Sequence, residues 1–332
     1  MIRTFRLLCV LLVGLTPVAA CALPGRDAPA PGRAITLGFS AWPGWFPWQV
    51  AEEEGLFERN GLDVDLRYYG NYTDSLTALT NGDIQANSQT LNDTLSSVTD
   101  GSRETIVLVN DNSTGNDQII ARPGITSVAG LKGKRVAAEE GTVDHYLLML
   151  ALKKAGLSGR DVTFEPLATD AAADALVAGK VDAVGVFAPF TTAALKRPGS
   201  RALTTSRDFP GAIPDLLVVS GAFLDQQPGS VQALVKTWFD TLAWIAAHKA
   251  EAVRIMARRA GVTEAEYRTY DAGTTIFSLD DNLRAFAPGR GTAHLPYQAT
   301  ALSAFLLDNR LTQFEPSLDR LIDPRFVEAL KR

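Results

Sequence analysis

The chain has 332 residues, enough for two domains or two lobes, and its 46% hydrophobic and 21% charged residues are typical of a folded globular protein rather than a disordered one. A formal net charge of −5 and the lack of any run of lysine or arginine exclude a basic surface for nucleic acid. We therefore expect no nucleic-acid partner.

The first twenty residues are typical of an export signal. Arg3 and Arg6 precede an apolar run at residues 7–15, and small residues at 18–20 suit a cleavage site. The apolar run is too short to cross a bilayer. We predict a signal peptide at residues 1–20.

Cys21 follows this signal directly. The segment Val18-Ala19-Ala20-Cys21 resembles the bacterial lipobox, in which the cysteine is acylated and becomes the mature N-terminus. The alternative is plain secretion with a chance cysteine. We expect a lipid anchor at Cys21 in the periplasm or on the outer face of a bacterial membrane, followed by a Pro- and Gly-rich spacer through residue 33. The only other cysteine is Cys9, so the folded body has no disulfide, thiolate nucleophile or cysteine-ligated metal.

Residues 35–48 form the most distinctive segment, because a short alternating strand runs into a loop with three tryptophans. Pro43, Gly44 and Pro47 keep this loop out of regular structure. Aromatic side chains at the carboxyl end of a strand in an open α/β sheet lie where such sheets bind ligands. We predict that Trp42 or Trp45 forms one wall of a cleft. The alternative is that these aromatic residues only cover the core.

Strands and helices alternate through residue 187, which predicts an α/β fold with a parallel, doubly wound sheet. Residues 78–86 align with residues 175–183, helix end with helix end, which suggests two similar lobes. The predicted strands lie at 35–39, 62–68, 84–87, 105–110, 135–138, 162–165, 181–187 and 216–220. The predicted helices lie at 49–61, 73–82, 90–100, 142–155, 170–178, 231–247, 251–260, 264–270, 297–309 and 324–330. The tail after residue 220, without a strand of its own, is expected to cover an existing sheet.

The strand ends of the two predicted lobes carry aromatic and polar side chains that would face each other across a cleft. Such a surface suits a small organic solute. The candidate ligand-binding residues are Trp42, Trp45, Asn71, Tyr72, Gln89, Thr90, Asp111, Glu140, Thr142, His145, Phe187 and Phe190.

The charge of the solute stays open at this point. A helix beginning at Thr142 offers free backbone N–H groups that favour an anion. Glu140 and Asp144 flank that helix start, and Asp111 and Asp117 add acid at the opposite wall, which favours a cation or a zwitterion. Alternatively, these acids cap helices or pair with arginines such as those at positions 122 and 135.

Signals of catalysis are few. The chain has three histidines, and the zinc-protease, nucleophile-elbow, phosphate-loop and dinucleotide motifs are missing from it. Glu140, Asp144 and His145 support a rival hypothesis, a secreted hydrolase or lyase, or a metal site. We expect neither catalysis nor a cofactor or metal.

Four segments together resemble one family, the periplasmic substrate-binding proteins of the nitrate, sulfonate and taurine ABC importers, which also includes binders of thiamine-pyrimidine precursors. Residues 51–64, AEEEGLFERNGLDV, are similar to its A-x-x-x-G-L-F-x-x-x-G-L-x-V signature. Residues 82–84 (GDI), 131–136 (LKGKRV) and 187–189 (FAP) are similar to its later landmarks, in the same order.

The resemblance implies a type II periplasmic binding protein, in which two doubly wound lobes are joined by a two-strand hinge. Lobe 1 would comprise residues 34–118 plus 222–332 and lobe 2 residues 119–221, with crossings near 117–121 and 216–220. It also implies a monomer that delivers its solute to an ABC permease and its ATPase. The chain departs from the family at residues 139–145, where acids replace small hydroxylated residues, and it lacks the cysteines of related pyrimidine synthases and desulfinases.

Overall fold

The computed structural model describes residues 34–331, so the predicted signal peptide, Cys21 and the spacer lie outside the described residues. Within that range the chain forms two β-sheets, each flanked by helices. We call the part built on the six-stranded sheet the first lobe and the part built on the five-stranded sheet the second lobe.

The first lobe begins with four strands and four helices. They are β1 (Ile35–Phe39), α1 (Pro47–Glu53), α2 (Leu56–Arg59), β2 (Val64–Tyr68), α3 (Tyr72–Thr80), β3 (Ala86–Thr90), α4 (Leu91–Thr99) and β4 (Glu104–Ser113).

The second lobe follows without interruption. Its elements are β5 (Asp117–Ala121), β6 (Arg135–Ala138), α5 (Val143–Lys154), β7 (Thr163–Pro166), α6 (Thr169–Val177), β8 (Ala183–Phe187), α7 (Phe190–Ala194) and β9 (Arg201–Thr205).

The chain then returns to the first lobe and becomes largely helical. The last elements are β10 (Pro214–Ser220), α8 (Gly221–Gln226), α9 (Pro228–Ala247), α10 (Lys249–Ala260), α11 (Glu264–Thr269), β11 (Thr274–Ile276), α12 (Leu279–Phe286), α13 (Leu295–Asp308) and α14 (Arg325–Glu328).

Both sheets follow one plan, as the internal similarity predicted. The first sheet has the order β11-β4-β10-β3-β1-β2 and the second β7-β6-β8-β5-β9. In each sheet three strands are parallel, β2-β1-β3 and β7-β6-β8. An antiparallel strand, β10 or β5, then pairs beside the third of them. The carboxyl ends of both parallel sets therefore lie at the edges from which the site is built.

The crossings between the sheets lie at residues 114–116 and 206–213, and not at 117–121 and 216–220 as predicted. Strand β5 pairs along its length with β8, and β10 pairs with β3 and β4 in the first sheet. An apolar extended run has the same sequence signature in a hinge as in a sheet, so the pattern alone does not separate them. The predicted end of lobe 2 at residue 221 therefore lies too late, because β10 belongs to the first sheet.

The tail does contain a strand, contrary to expectation. Strand β11 adds to the first sheet beside β4. With only three residues, it is too short to show an alternating pattern.

The core of the first lobe lies between its sheet and α9, where Trp48 and Trp238 are fully buried with ring centroids 4.8 Å apart. The indole of Trp48 also donates to Ser88 Oγ at 2.9 Å. One tryptophan of the aromatic loop is thus a core residue, as the alternative reading expected. Among the described residues, none of the helices has the length and apolar character needed to cross a bilayer.

Candidate functional site

An aromatic wall lines the space between the lobes. Trp42 and Trp45 come from the loop after β1, Tyr72 from the start of α3, and Phe187 from the end of β8 in the other lobe. The rings of Trp42 and Phe187 lie 6.3 Å apart, those of Tyr72 and Phe187 6.2 Å apart, and those of Trp45 and Tyr72 5.5 Å apart. The prediction that Trp42 or Trp45 lines a cleft agrees with this placement of both.

The loop holds this position because one of its residues has no side chain. A Cβ atom at Gly44 would lie 1.8 Å from Oδ2 of Asp111, at the end of β4. The same aspartate accepts a 3.0 Å hydrogen bond from Trp42 Nε1. Pro47 then begins α1, where its missing N–H costs nothing. The loop is therefore held against the carboxylate of Asp111.

The space between the lobes consists of two small chambers. In this closed arrangement each chamber has a cavity volume of about 10 Å³, which is about the space that one water molecule needs. Tyr72 and Phe187 line both and separate them. The inner chamber is lined by Trp42, Trp45, Tyr72, Thr90, Asp117, Val143, Phe187 and Asp215. The outer chamber is lined by Ser40, Ala41, Gly70, Asn71, Tyr72, Glu139, Ala168, Thr169, Asp170, Phe187 and Phe190.

Six carboxyl groups are buried in or against these chambers, each at most 7% exposed. Asp117 and Asp215 line the inner chamber and Glu139 the outer one. In four of these acids, one carboxyl oxygen has no hydrogen-bond donor among residues 34–331. The six are Asp93, Asp111, Asp117, Glu139, Asp144 and Asp215, and the four oxygens are Oδ2 of Asp111, Asp117 and Asp215 and Oδ1 of Asp144.

No lysine, arginine or histidine among residues 34–331 forms an ion pair with any of these six acids. The arginines named as alternative partners contact a different acid, Asp182. Arg122 pairs with Asp182 at 2.7 Å, and the backbone N–H of Arg135 donates to the same carboxylate at 2.9 Å. The alternative that the cleft acids are paired with these arginines is therefore wrong.

Burial without a paired cation raises the pKa of Asp93, Asp111, Asp117, Asp144 and Asp215. Desolvation raises the pKa of Asp93, Asp111 and Asp117 to about 7 each. The pKa of Asp215 lies well above its ordinary value, because it is buried and lies beside Asp111. Burial and the nearby charge of Asp117 do the same to the pKa of Asp144. A positive charge placed among them would favour the ionised forms.

Glu139 joins the two lobes at the outer chamber. Its Oε1 accepts from the Thr73 hydroxyl, and the Thr73 backbone N–H lies 3.3 Å away, at the first turn of α3. Its Oε2 accepts from the Thr169 hydroxyl at 2.8 Å, at the start of α6. One carboxylate thus bridges a helix of each lobe.

The start of α5 was predicted to favour an anion, and a carboxyl group of the protein, that of Asp93, already lies there. The backbone N–H of Val143 is among the groups that stabilise ionised Asp93, which comes from α4 in the other lobe. Tyr72 and Thr90 also donate to Asp93 Oδ2, at 2.8 and 2.7 Å. The side chain of Thr142 makes no cap and donates instead to the Glu139 carbonyl at 2.9 Å. A backbone N–H at this helix start is therefore already used by a carboxyl group of the protein.

The structure brings together seven of the twelve predicted residues and leaves five out of the chamber walls. Asn71, Thr90 and Phe190 line a chamber with the four aromatic residues of the wall. Asp111 lies behind the wall and accepts a hydrogen bond from Trp42, and the Thr142 hydroxyl donates to the Glu139 carbonyl.

The remaining three predicted residues point elsewhere. Gln89 is turned into the first lobe, where its amide donates to Glu104 at 2.9 Å. Glu140 is exposed, while its neighbour Glu139 takes the cleft position that was assigned to it. His145 stacks on Phe164 with ring centroids 4.2 Å apart.

The rival catalytic cluster does not assemble. Glu140 faces solvent, Asp144 Oδ2 lies 2.9 Å from the Thr169 hydroxyl, and His145 accepts from the Gly141 N–H at 3.3 Å. Burial lowers the pKa of His145 to about 4, so it is a poor proton acceptor at neutral pH. In the described part of the chain, no three His, Cys, Asp or Glu side chains are grouped so that they could hold a metal ion.

Four site residues escaped the sequence reading: Asp93, Glu139, Thr169 and Asp215. Only one carried a usable signal, since Asp215 is the single charged residue in the apolar strand β10. Asp93 and Thr169 look like ordinary helix-start residues. The choice between Glu139 and Glu140 depended on which of two adjacent side chains faces inward, and the strand end does not fix it.

These two lobes, closed over an aromatic and acidic pocket, define a two-lobed binding-protein architecture. A model of the NMT1-like family matches residues 28–261, well over half of the chain. The chain belongs to the NMT1-like family.

Two relatives by sequence cover most of the chain. A Brucella abortus (strain 2308) protein that has been assigned a binding role is 28% identical over 66% of this chain and 69% of its own length. The taurine-binding periplasmic protein of Escherichia coli (strain K12) is 25% identical over 79% of this chain and 83% of its own length. The predicted resemblance to the importer-associated binding proteins is confirmed.

Solved structures confirm the type II binding-protein fold. The alkanesulfonate-binding protein SsuA of Xanthomonas axonopodis pv. citri has a TM-score of 0.74, with 21% identity over 88% of this chain and 98% of that one. A desulfurization enzyme, DSZB, has the same fold with a TM-score of 0.62 and 19% identity over 89% of this chain and 98% of its own. At such identities the likeness extends to the fold alone.

Proposed function

We propose that this protein is an extracytoplasmic solute-binding lipoprotein that captures a small organic molecule between its lobes and delivers it unchanged to an ABC permease and its ATPase. The observation that carries this proposal is the aromatic pocket enclosed between the two sheets, to which both lobes contribute. The binding roles of the Brucella and Escherichia coli relatives support it.

The proposal requires the lobes to open and close around the solute, because the two chambers are enclosed by residues of both. Ligand entry would break the Glu139 bridge to Thr73 and separate Phe187 from Trp42. Closure then excludes water from the bound molecule and presents one surface to the permease.

Small-angle scattering tests this motion directly. The protein stripped of ligand by unfolding and refolding is expected to have a larger radius of gyration than the same protein after its own ligand is returned. Equal radii in both states would contradict the proposed mechanism. Recovery of the ligand with its mass unchanged after long incubation distinguishes a receptor from the rival hydrolase or lyase.

The membrane anchor is a separate part of the proposal and has its own test. Radioactive palmitate is expected to label the exported wild-type protein and not the Cys21→Ser variant. Persistent labelling of Cys21→Ser would contradict lipidation at this residue and leave solute binding unaffected.

A further inference from the structure

The strongest chemical feature of the pocket is an excess of hydrogen-bond acceptors that carry or can carry negative charge. Oδ2 of Asp117 belongs to a residue 1% exposed that lines the inner chamber, and it has no hydrogen-bond partner among the described residues. Asp215 lines the same chamber and lies against the Asp111 carboxyl, with which it can share a proton. Because buried polar atoms in folded proteins almost always have partners, the Asp117 oxygen indicates a ligand that donates a hydrogen bond.

The walls around these acceptors are aromatic. Trp42, Trp45, Tyr72 and Phe187 line the same chamber. The faces of such rings attract cations, and their area packs against carbon. Aromatic walls with unpaired carboxyls at one end match a molecule that has a positive head and a short apolar body.

On this basis, and resting on the proposed function, we infer that the natural solute is a compact organic cation whose positive group carries N–H bonds, held by Asp117 and Asp215 and packed against the aromatic wall. A protonated alkylamine, a guanidinium and a protonated amino-heterocycle belong to this class. A quaternary ammonium does not, because it has no N–H to give to the free carboxyl oxygens.

Two observations oppose an anionic solute. The backbone N–H at the start of α5 already stabilises the Asp93 carboxylate. No cationic side chain among residues 34–331 pairs with any of the six buried acids, so each of them that ionises would repel a sulfonate or nitrate. The described walls of the two chambers also contain no arginine or lysine that could bind an anion.

Asp111 supports Asp215 from behind. The two residues are opposite each other in the pairing of β4 with β10, and Asp111 receives a hydrogen bond from Trp42. Desolvation by burial raises the pKa of both carboxyls. A bound cation would allow the pair to ionise, so its binding is expected to release protons to the solvent.

The indole of Trp45 gives one further constraint. Its Nε1 is buried and has no hydrogen-bond partner in the described part of the chain, although the ring lines the inner chamber. An N–H donor left in this position favours a solute that also carries a neutral acceptor, such as a hydroxyl, an ether or a ring nitrogen.

The test is a set of small probes that differ in charge and in N–H groups, titrated into the refolded, ligand-free protein while tryptophan fluorescence and melting temperature are recorded. Ethanolamine, agmatine and benzylamine represent the N–H cations, choline the quaternary ammonium, and taurine, ethanesulfonate and nitrate the zwitterion and the anions. We expect only N–H cations to shift the fluorescence and raise the melting temperature.

Substitutions then locate the contact. Asp117→Asn and Asp215→Asn are expected to weaken the best cation at least about 30-fold, as is usual when one partner of a buried charge pair is removed. The matched control is Asp225→Asn, a surface aspartate paired with Arg103 and Arg320, which should leave affinity unchanged. Thermal melts of each variant show whether it is folded.

The outcomes separate this inference from the proposed function. If taurine, a sulfonate or nitrate binds and the cations do not, the inference is wrong and the function as a solute receptor stands. Tighter binding of choline than of the N–H cations would also overturn it. If no probe binds, the inference of a cationic solute is contradicted. The proposed function is then tested separately, by whether protein isolated from its own host carries an extractable ligand.

Discussion

At the scale of single residues, the pocket carries negative groups whose charge the protein itself does not neutralise. Burial of a carboxyl group normally comes with a paired cation or several hydrogen bonds. Asp93 has the latter, because Tyr72, Thr90 and Asn92 all donate to it. Asp117 keeps an oxygen without a partner among the described residues, and Asp215 has only the Asp111 carboxyl beside it. The difference separates an acid with a structural role from acids available to a ligand.

The raised pKa of Asp117 predicts a pH dependence of stability. Its folded-state pKa is about 7, above the ordinary 3.8. Between these values the folded protein holds a proton that the unfolded chain releases, so stability falls as pH rises through this window. We expect Asp117→Asn to remove part of this loss. The free energy of unfolding of the ligand-free variant, relative to that of wild type, should therefore be about 1–3 kcal/mol higher at pH 8 than at pH 5.

Urea unfolding of both proteins at the two pH values measures this gain. His145 contributes in the opposite direction, because its pKa is lowered to about 4 and the unfolded chain binds the extra proton. The comparison of variant with wild type cancels that contribution. An equal or larger loss of stability in Asp117→Asn between pH 5 and pH 8 would show that Asp117 does not titrate in this range.

Gly44 gives a second prediction at this scale. A methyl group there would overlap the Asp111 carboxylate. We expect Gly44→Ala to cost about 1–3 kcal/mol of unfolding free energy, as overpacking usually does. The control is Gly70→Ala, because a Cβ at Gly70 has nothing within 4 Å.

That control should stay within about 0.5 kcal/mol of wild type in the same denaturation experiment. Adding Asp111→Ala to Gly44→Ala should restore part of the loss by removing the overlapping atoms. If Gly44→Ala were as stable as Gly70→Ala, the close packing of the loop against Asp111 would be refuted.

Residues whose type alone indicates a binding role could be predicted from the sequence. Residues whose role depends on which way the side chain points could not. Trp42 and Trp45 were identified because several aromatic side chains in one loop, kept out of regular structure by proline and glycine, indicate a binding role. Glu140 was chosen over Glu139 because both are acidic, and only the packed fold turns one inward. Gln89 was placed in the pocket because it ends a strand, although its side chain bonds to Glu104 on the other side.

At the scale of elements, Glu139 connects β6 of the second lobe to α3 of the first through Thr73. Such a bridge stabilises the closed arrangement and not the open one. Its loss should therefore speed ligand release more than it slows capture.

We predict that Glu139→Gln raises the dissociation rate of the bound solute about 5–30-fold, corresponding to about 1–2 kcal/mol for hydrogen bonds to a charged group. Stopped-flow tryptophan fluorescence measures this rate. Glu140→Gln, the exposed neighbour, provides the control and should leave it unchanged. A rate that is equal in both variants would mean that Glu139 does not hold the lobes together.

Elements with a strong repeating pattern were predicted closely. Strand β6 and helices α5, α9 and α10 lie within a few residues of their predicted bounds. Strand β9, helix α12 and strand β11 were missed. Strand β9 mixes exposed and buried positions without alternation, and α12 is an eight-residue helix with charged residues on one side. Short elements of this kind form because the neighbouring sheet or helix is already in place.

At the scale of the whole molecule, two lobes with the same strand plan close over one pocket. The repeat was visible in the alignment of residues 78–86 with residues 175–183, and the family resemblance gave the lobe arrangement. The crossings were misplaced because a crossing and a strand inside a sheet, such as β5 or β10, are both extended. The fold could therefore be predicted almost completely from sequence, whereas the pocket could be predicted only in its aromatic part.

The central claim is that this pocket holds an organic cation on its way to a permease. The most direct measurement is native mass spectrometry of the protein purified from its own host, followed by release and identification of any bound small molecule. We predict a single compact molecule that carries a protonated N–H group and leaves with its covalent structure intact. Release of a sulfonate, nitrate or another anion would contradict the account of the pocket, and release of a chemically altered product would contradict the account of the protein as a receptor.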